Sequence, residues 1–225
     1  MQGQRQSYCD CFCPFVINID MFCRKGEQYM TKDTNNSVHK KLSEMTLQEL
    51  WALFPIFLVE HRERWKQDYA EMEARLASLL DGLPIERISH IGSTSINNIW
   101  AKNIVDILVE MPSFDIVKEA SSILQKNGFS HMSSEGERIS LNFGYTEEGF
   151  AEQVYHIHLR CSGDNDELYF RDYLREHPEL AKEYEELKLS LWKKYEHDRN
   201  AYTDAKTDFI RKCTTAAKRQ YGARY

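Results

Sequence analysis

The chain has no apolar run near the roughly 20 residues that a membrane-spanning helix needs, so a helical span is not expected. It has no excess of positive charge either: 29 Lys and Arg stand against 35 Asp and Glu, a formal charge of −6. Non-specific nucleic-acid binding draws on a positive surface, which makes nucleic acid a poor candidate partner. Cysteine is scarce past residue 23, with only Cys161 and Cys213. The other cysteines, Cys9, Cys11, Cys13 and Cys23, crowd the leader. Their Cys-x-Cys-x-Cys run is not a usual zinc spacing, and no nearby His completes it. The leader also lacks the basic start, long apolar centre and small-residue cleavage site of a secretory signal. A cytoplasmic location is therefore expected. No internal repeat is visible.

What is present fits an ordinary globular domain: 42% hydrophobic and 28% charged residues in 225 leave room for one sizeable core. From Asp204 to Tyr225 there are six basic and two acidic residues. The plain reading is a solvated last helix with cations near its C-terminus; the sharper one is a phosphate-binding face. In the leader, Arg24-Lys25-Gly26-Glu27 can be encoded by a purine-rich ribosome-binding sequence about eight nucleotides before the codon for Met30. The hypothesis is that translation begins at Met30, and an intact native N-terminus at Met1 by mass spectrometry would sink it. Residues 1 to about 44 are expected to be poorly ordered. A single domain over 45–225 follows, with a sheet core at about 56–162 and helices at about 164–221.

Thr46 and Glu49 form a capping-box pair at the start of a short helix carrying Leu47, Leu50, Trp51 and Phe54, which Pro55 ends. Ile56 to Val59 reads as extended. An amphipathic helix follows, with Trp65, Tyr69, Met72, Leu76, Leu79 and Leu80 at helical spacing. Ile85 to Ile91 is a strand. Ile104 to Val109 is another, with Ile104, Asp106, Leu108 and Glu110 on one face and Val105, Ile107 and Val109 on the other. The apolar face belongs to the core, and Asp106 to a face open to solvent or ligand. A helix with Ile116, Val117, Ala120, Ile123 and Leu124 stops at Asn127-Gly128. Strands are expected at Phe129 to Ser133, Arg138 to Tyr145 and Gln153 to Arg160. Helices are expected at Asp166 to Glu176, Glu179 to His197 and Ala201 to about Tyr221. That order gives an α+β class, a mixed sheet core flanked by helices with a C-terminal helical layer.

The segment from His90 to Glu110 carries the chemistry. A Gly-Ser turn at Gly92 and Ser93 follows one apolar strand, and Asp106 sits inside the next. Backbone N–H groups and a hydroxyl near a carboxylate can receive phosphates and hold a metal.

The context narrows this. Ile-Gly-Ser-Thr-Ser (91–95), Ala-Lys-Asn-Ile-Val-Asp-Ile-Leu-Val (101–109), His-Ile-His-Leu-Arg (156–160) and Tyr-Phe-Arg-Asp-Tyr-Leu-Arg-Glu-His-Pro (169–178) closely resemble the GrpB family. Tyr-Glu-Glu-Leu-Lys (184–188) and Tyr-Thr-Asp-Ala-Lys-Thr-Asp-Phe-Ile (202–210) match its C-terminal helices. The resemblance covers roughly residues 45 to 221. It implies a nucleotidyltransferase-like core of the DNA polymerase beta type, in which a helix between the two strands presents the turn to a triphosphate. It implies no established reaction.

The departures are informative. Active nucleotidyltransferases pair two acids as Asp-x-Asp or Asp-x-Glu, and here the partner position is Leu108. Two Mg²⁺ ions roughly 4 Å apart need several carboxylate oxygens. Glu110 shares the face of Asp106 but lies two strand steps, roughly 13 Å, away. The third acid would come from a later strand, where His156 and His158 alternate onto one face. Imidazole suits Zn, Mn, Ni or Fe better than Mg. Asp106, His156 and His158 are thus the candidate catalytic and metal-binding residues, for a divalent metal among Mn, Zn and Mg. A general-base and phosphate site without metal, and two hydrogen-bonded histidines lining a polar cleft, stay open.

Gly92, Ser93 and Thr94 are the candidate phosphate cradle, with Lys102 as a further contact. In the family the lysine belongs to an Ala-Lys-Pro run, and Asn103 replaces that proline. Family members often carry a lysine in an Asn-Lys-Gly-Tyr run that here reads Asn142-Phe143-Gly144-Tyr145. In the C-terminal helices, Arg171, Asp172, Arg175, Lys188, Arg199, Tyr202 and Lys206 could face the cleft, with Arg171 and Lys206 foremost. The alternative is a network of surface ion pairs. The functional expectation is a phosphorylated small molecule or nucleotide as ligand, with nucleotidyl or phosphoryl transfer as the reaction. The competing expectations are a non-catalytic binding module and an interaction protein.

Overall fold

The structure, a computed structural model, describes residues 40–225. The cysteine-rich leader and the Met30 start lie outside the described residues. Residues 42–44, inside the range expected to be poorly ordered, form one 3₁₀ turn. The capping box then appears as the sequence indicates: Thr46 N donates to Glu49 Oε2 at 2.6 Å, and Glu49 N to Thr46 Oγ1 at 3.3 Å. It starts helix α1 (Leu47–Leu53). Helix α2 (Arg64–Leu79) buries Trp65, Met72 and Leu76.

Strands β1 (Arg87–Ile91) and β2 (Val105–Met111) pair antiparallel. Helix α3 (Phe114–Lys126) and strands β3 (Ser130–Glu135), β4 (Arg138–Thr146) and β5 (Gly149–Cys161) follow. β5 begins earlier than the expected Gln153, because a tight turn at Thr146–Gly149 feeds it directly from β4. The sheet order is β1-β2-β5-β4-β3, and β2 and β5 run parallel. Helices α4 (Asp166–Glu176), α5 (Pro178–Lys194) and α6 (Arg199–Tyr221) form the last layer.

One sheet face is apolar. Val105, Ile107, Val109, Leu141, Tyr155, Ile157 and Leu159 pack with Trp65, Met72 and Leu76 of α2 and Val117, Ala120 and Leu124 of α3. The other face is not open to solvent along its length, which corrects the expectation for Glu110. Leu108 is buried with Ile91 and Leu168 of α4. Glu110 is buried, accepts from Arg87 Nε at 2.6 Å and from Asn165 Nδ2 at 2.9 Å, and so serves the fold. The C-terminal helices cover a sheet face rich in polar groups, and a cavity stays open over its Asp106 end. Among the described residues, no helix is long and apolar enough to cross a membrane.

Candidate functional site

The β2–β5 register sets Asp106 beside His156 and Leu108 beside His158. Because alternate residues share a face, both imidazoles stand on the same side as the carboxylate. Asp106 Oδ1 lies 3.2 Å from His156 Nδ1 and 3.3 Å from His158 Nε2. Among the described residues these three are the group whose ligand atoms could converge on a metal, all within 4.8 Å of one another.

The partners of the outer ring nitrogens assign the tautomers. Arg199 Nη1 donates to Tyr145 Oη at 3.2 Å, which frees the phenol hydrogen for His156 Nε2, 2.9 Å away. In that assignment His156 carries its hydrogen on Nδ1 and donates to Asp106. Buried Arg160 donates from Nη2 toward His158 Nδ1 at 3.3 Å, which leaves the His158 hydrogen on Nε2, again aimed at Asp106. Burial pushes the Asp106 carboxyl up, but the donors His156 and His158 outweigh it and hold the group well below the ordinary carboxylate range. For His156, burial outweighs the neighbouring carboxylate and lowers its pKa.

The donor set fits one transition metal: two imidazoles and a carboxylate, with edges of 3.2 and 3.3 Å. Ligation would move each ring hydrogen to the outer nitrogen. Tyr145 can turn to accept it; at His158 the Arg160 donor opposes the switch. Two Mg²⁺ ions do not fit, because Leu108 is buried in an apolar cluster and Glu110 is committed to Arg87 and Asn165.

Gly92 opens the β1–β2 loop with φ +68°, and a Cβ there would meet the Asp106 carboxylate. Its role is to let the carboxylate in. The loop holds one 3₁₀ turn, Ser93–Ser95, in place of the helix that the family resemblance implies. Arg175 Nε and Nη2 clasp Ser95 O at 2.9 and 2.8 Å. From α5, Glu185 accepts from Trp100 N at 2.9 Å and Lys188 donates to Trp100 O.

A cavity opens over Asp106. Ser93 and Thr94 border it, as do Lys102, Lys188, Arg199 and Lys206, so four basic side chains face one carboxylate. Arg199, Tyr202, Thr203 and Lys206 come from one face of α6, at steps of three and four residues. The Lys206 and Lys102 ammonium groups sit 4.3 and 4.6 Å from the Tyr202 ring centre. Burial brings Lys206 down to about 7, against the pull of Asp106. Lys188 lies well below the ordinary lysine range, first through burial and then through Lys206, with Glu185 opposing.

The structure thus brings Ser93, Thr94, Lys102, Asp106, His156, His158 and Lys206 to one cavity. Thr94 is buried, with its hydroxyl 3.0 Å from His90 Nε2. Arg171 is elsewhere. Its Nε donates to Asp172 at 2.7 Å, its Nη1 to His90 O at 3.0 Å and its Nη2 to Tyr225 Oη at 3.3 Å, which ties α4 and the C-terminus to β1. Arg199 and Lys188 ranked below Arg171 in the sequence and border the cavity; their signal was position on the helix face.

An α+β domain with a mixed sheet, a helical cover and a cationic cleft over one acid and two imidazoles is the class defined here. A model of the family described as "GrpB protein" matches residues 55–216, and the chain belongs to that family. It is 33% identical over 185 residues to the UPF0157 protein YqkA of Bacillus subtilis, covering 80% of this chain and 53% of that one. It is 34% identical over 161 residues to the glutamate-rich protein GrpB of Alkalihalophilus pseudofirmus, covering 69% and 91%. The chain therefore spans about half the length of the Bacillus relative (53%) and most of the other (91%). The crystal structure of conserved protein GrpB from Enterococcus faecalis superposes with a TM-score of 0.64 at 26% identity, over 73% of this chain and 99% of that one. Cid1 poly(U) polymerase superposes more loosely, with a TM-score of 0.43 at 14% identity over 60% and 42%.

Proposed function

We propose that this protein binds a phosphorylated small molecule, a nucleotide foremost, in the cavity over Asp106. The observation that carries the reading is the convergence of Lys102, Lys188, Arg199 and Lys206 on a space with one carboxylate. Burying an ammonium is costly, and here Lys206 is 4% exposed and Lys188 2%, with Asp106 favouring the charge on the first and Glu185 on the second. An entering polyphosphate adds negative charge to the cavity and favours the cationic form of both lysines.

In this reading Asp106, His156 and His158 hold one divalent metal, Mn or Zn in preference to Mg. When bound, the metal would act as a Lewis acid on phosphate oxygens. Lys102 and Lys206 receive phosphate, and the Ser93 hydroxyl can donate to it. Arg199 and Lys188 add field while anchoring Phe54 O and Trp100 O. The reaction compatible with this set is transfer of a nucleotidyl or phosphoryl group. A second reading, a binding module without turnover, is favoured by one observation: burial of Leu108 where a second acid would stand.

A thermal-shift panel of nucleotides and inorganic tripolyphosphate, each with Mg²⁺, Mn²⁺ and Zn²⁺, tests the proposal. Stabilisation by polyphosphate is expected. Metal-dependent release of pyrophosphate, lost in Asp106→Asn, separates the enzyme from the module. No response to any phosphate compound would defeat both.

A further inference from the structure

A second cavity adjoins the cationic one and shares Lys102, Ile104 and Arg199 with it. The two differ in size and chemistry. The cationic cavity is narrow, about 60 Å³, whereas its neighbour is about 230 Å³ and is bordered by Pro55, Phe57, Phe150 and Val154. Phe57 is 40% exposed and is the exposed large hydrophobic side chain among the described residues. Its ring centre lies 6.5 Å from that of Phe150, at 64°. Phe150 is held in turn by Phe54 and Tyr145, with ring centres 5.0 and 5.1 Å away.

An isolated exposed Phe is ordinary. This one lines a groove that has Lys102, Ile104 and Arg199 in common with the cationic cavity. A ligand that filled both cavities would be a polyanion at one end and, at the other, a flat ring with polar edges, since Asn103 and Glu152 border the groove beside Phe57 and Phe150. Inorganic phosphate, pyrophosphate or an aliphatic phosphate would leave the aromatic end unused. Resting on the phosphate-binding reading above, we propose that the ligand is a nucleoside polyphosphate whose base lies over Phe57 in this groove, while its phosphates reach Lys102 and Lys206. Lys102 and Arg199, common to both cavities, mark the crossing between base and phosphate.

Ring-on-base contact is tolerant of base identity and is lost on truncation to alanine by a factor of roughly 5 to 150. The test is calorimetric titration of the full chain with ATP and with inorganic tripolyphosphate. ATP is expected to bind at least about tenfold tighter. Phe57→Ala should remove most of that difference and leave tripolyphosphate affinity unchanged; Phe57→Trp should retain it. The ring is exposed, so neither variant should fail to fold. If tripolyphosphate binds as tightly as ATP, or if Phe57→Ala leaves ATP affinity intact, the base subsite is wrong while the phosphate reading stands. If neither compound binds, both fall. If Phe57→Ala instead dissociates an oligomer and does not alter ATP affinity, the groove is a protein interface and the inference is overturned.

Discussion

Gly92 and Asp106 pack so closely that a Cβ on residue 92 would lie 2.9 Å from both Cβ and Cγ of Asp106 and would strike its Oδ2. The Gly92 φ of +68° adds a second reason for glycine. Gly92→Ala is therefore expected to destabilise the protein by about 2–4 kcal/mol, read by urea denaturation. It should also abolish any polyphosphate-induced thermal shift, because the carboxylate must move. An alanine variant as stable as the parent would show that the close approach is not a feature of the folded protein.

Asp106 contributes to stability in its ionised form. Its folded pKa is depressed below the ordinary 3.8 because His156 and His158 donate to it, in spite of burial. For a carboxyl lowered on folding, the unfolded chain takes up the proton first as pH falls. The contribution is complete above the unfolded value and is lost below it. Asp106→Asn should then be less stable than the parent at pH 7 by about 1–3 kcal/mol. The gap should shrink as the pH drops below about 4. A gap independent of pH would mean that the two imidazoles are not donors to this carboxylate.

Much of this arrangement was legible in the sequence. Period-two alternation put Asp106 on the opposite face from Val105, Ile107 and Val109, and it put His156 and His158 together. Capping chemistry located α1 and the Asn127-Gly128 stop located the end of α3. The second sheet face was misread for a physical reason. Glu110 and Arg160 look solvent-facing in any pattern of polarity, yet both are buried because Arg87, Asn165 and backbone carbonyls satisfy them. The inward cations were legible in part: of the two expected foremost at the cleft, Lys206 borders the cavity and Arg171 does not. Arg171, Lys206 and Arg211 are alike as residues, and only packing decides that Lys206 turns to the sheet, Arg171 to His90 O and Arg211 to Asp208.

Arg171 and Lys206 should behave oppositely when altered. Arg171 spends its guanidinium on Asp172, His90 O and Tyr225. Arg171→Ala is expected to cost about 1–3 kcal/mol through the lost bonds to His90 O and Asp172, although Tyr225, Arg175 and Arg224 still contact that carboxylate, with polyphosphate affinity changed less than about twofold. A tenfold loss of affinity at unchanged stability would place Arg171 in the binding site after all.

Lys206 makes the reverse trade. Burial lowers its folded pKa from 10.5 to about 7. Between those values the unfolded chain binds more protons than the native one, so the Lys206 contribution to stability improves as pH rises from about 7 to 10.5. At neutral pH and below, the buried ammonium is a penalty. Lys206→Met keeps the length and removes the charge. It is expected to be more stable than the parent by about 1–3 kcal/mol at pH 6 to 7, with the advantage fading toward pH 10. The same substitution should weaken tripolyphosphate binding at least about tenfold, since a cation meeting phosphate contributes a charge-assisted hydrogen bond. Stability gained where affinity is lost is the signature of a group kept for its ligand. A Met variant that binds tripolyphosphate like the parent would remove Lys206 from the site, whatever its effect on stability.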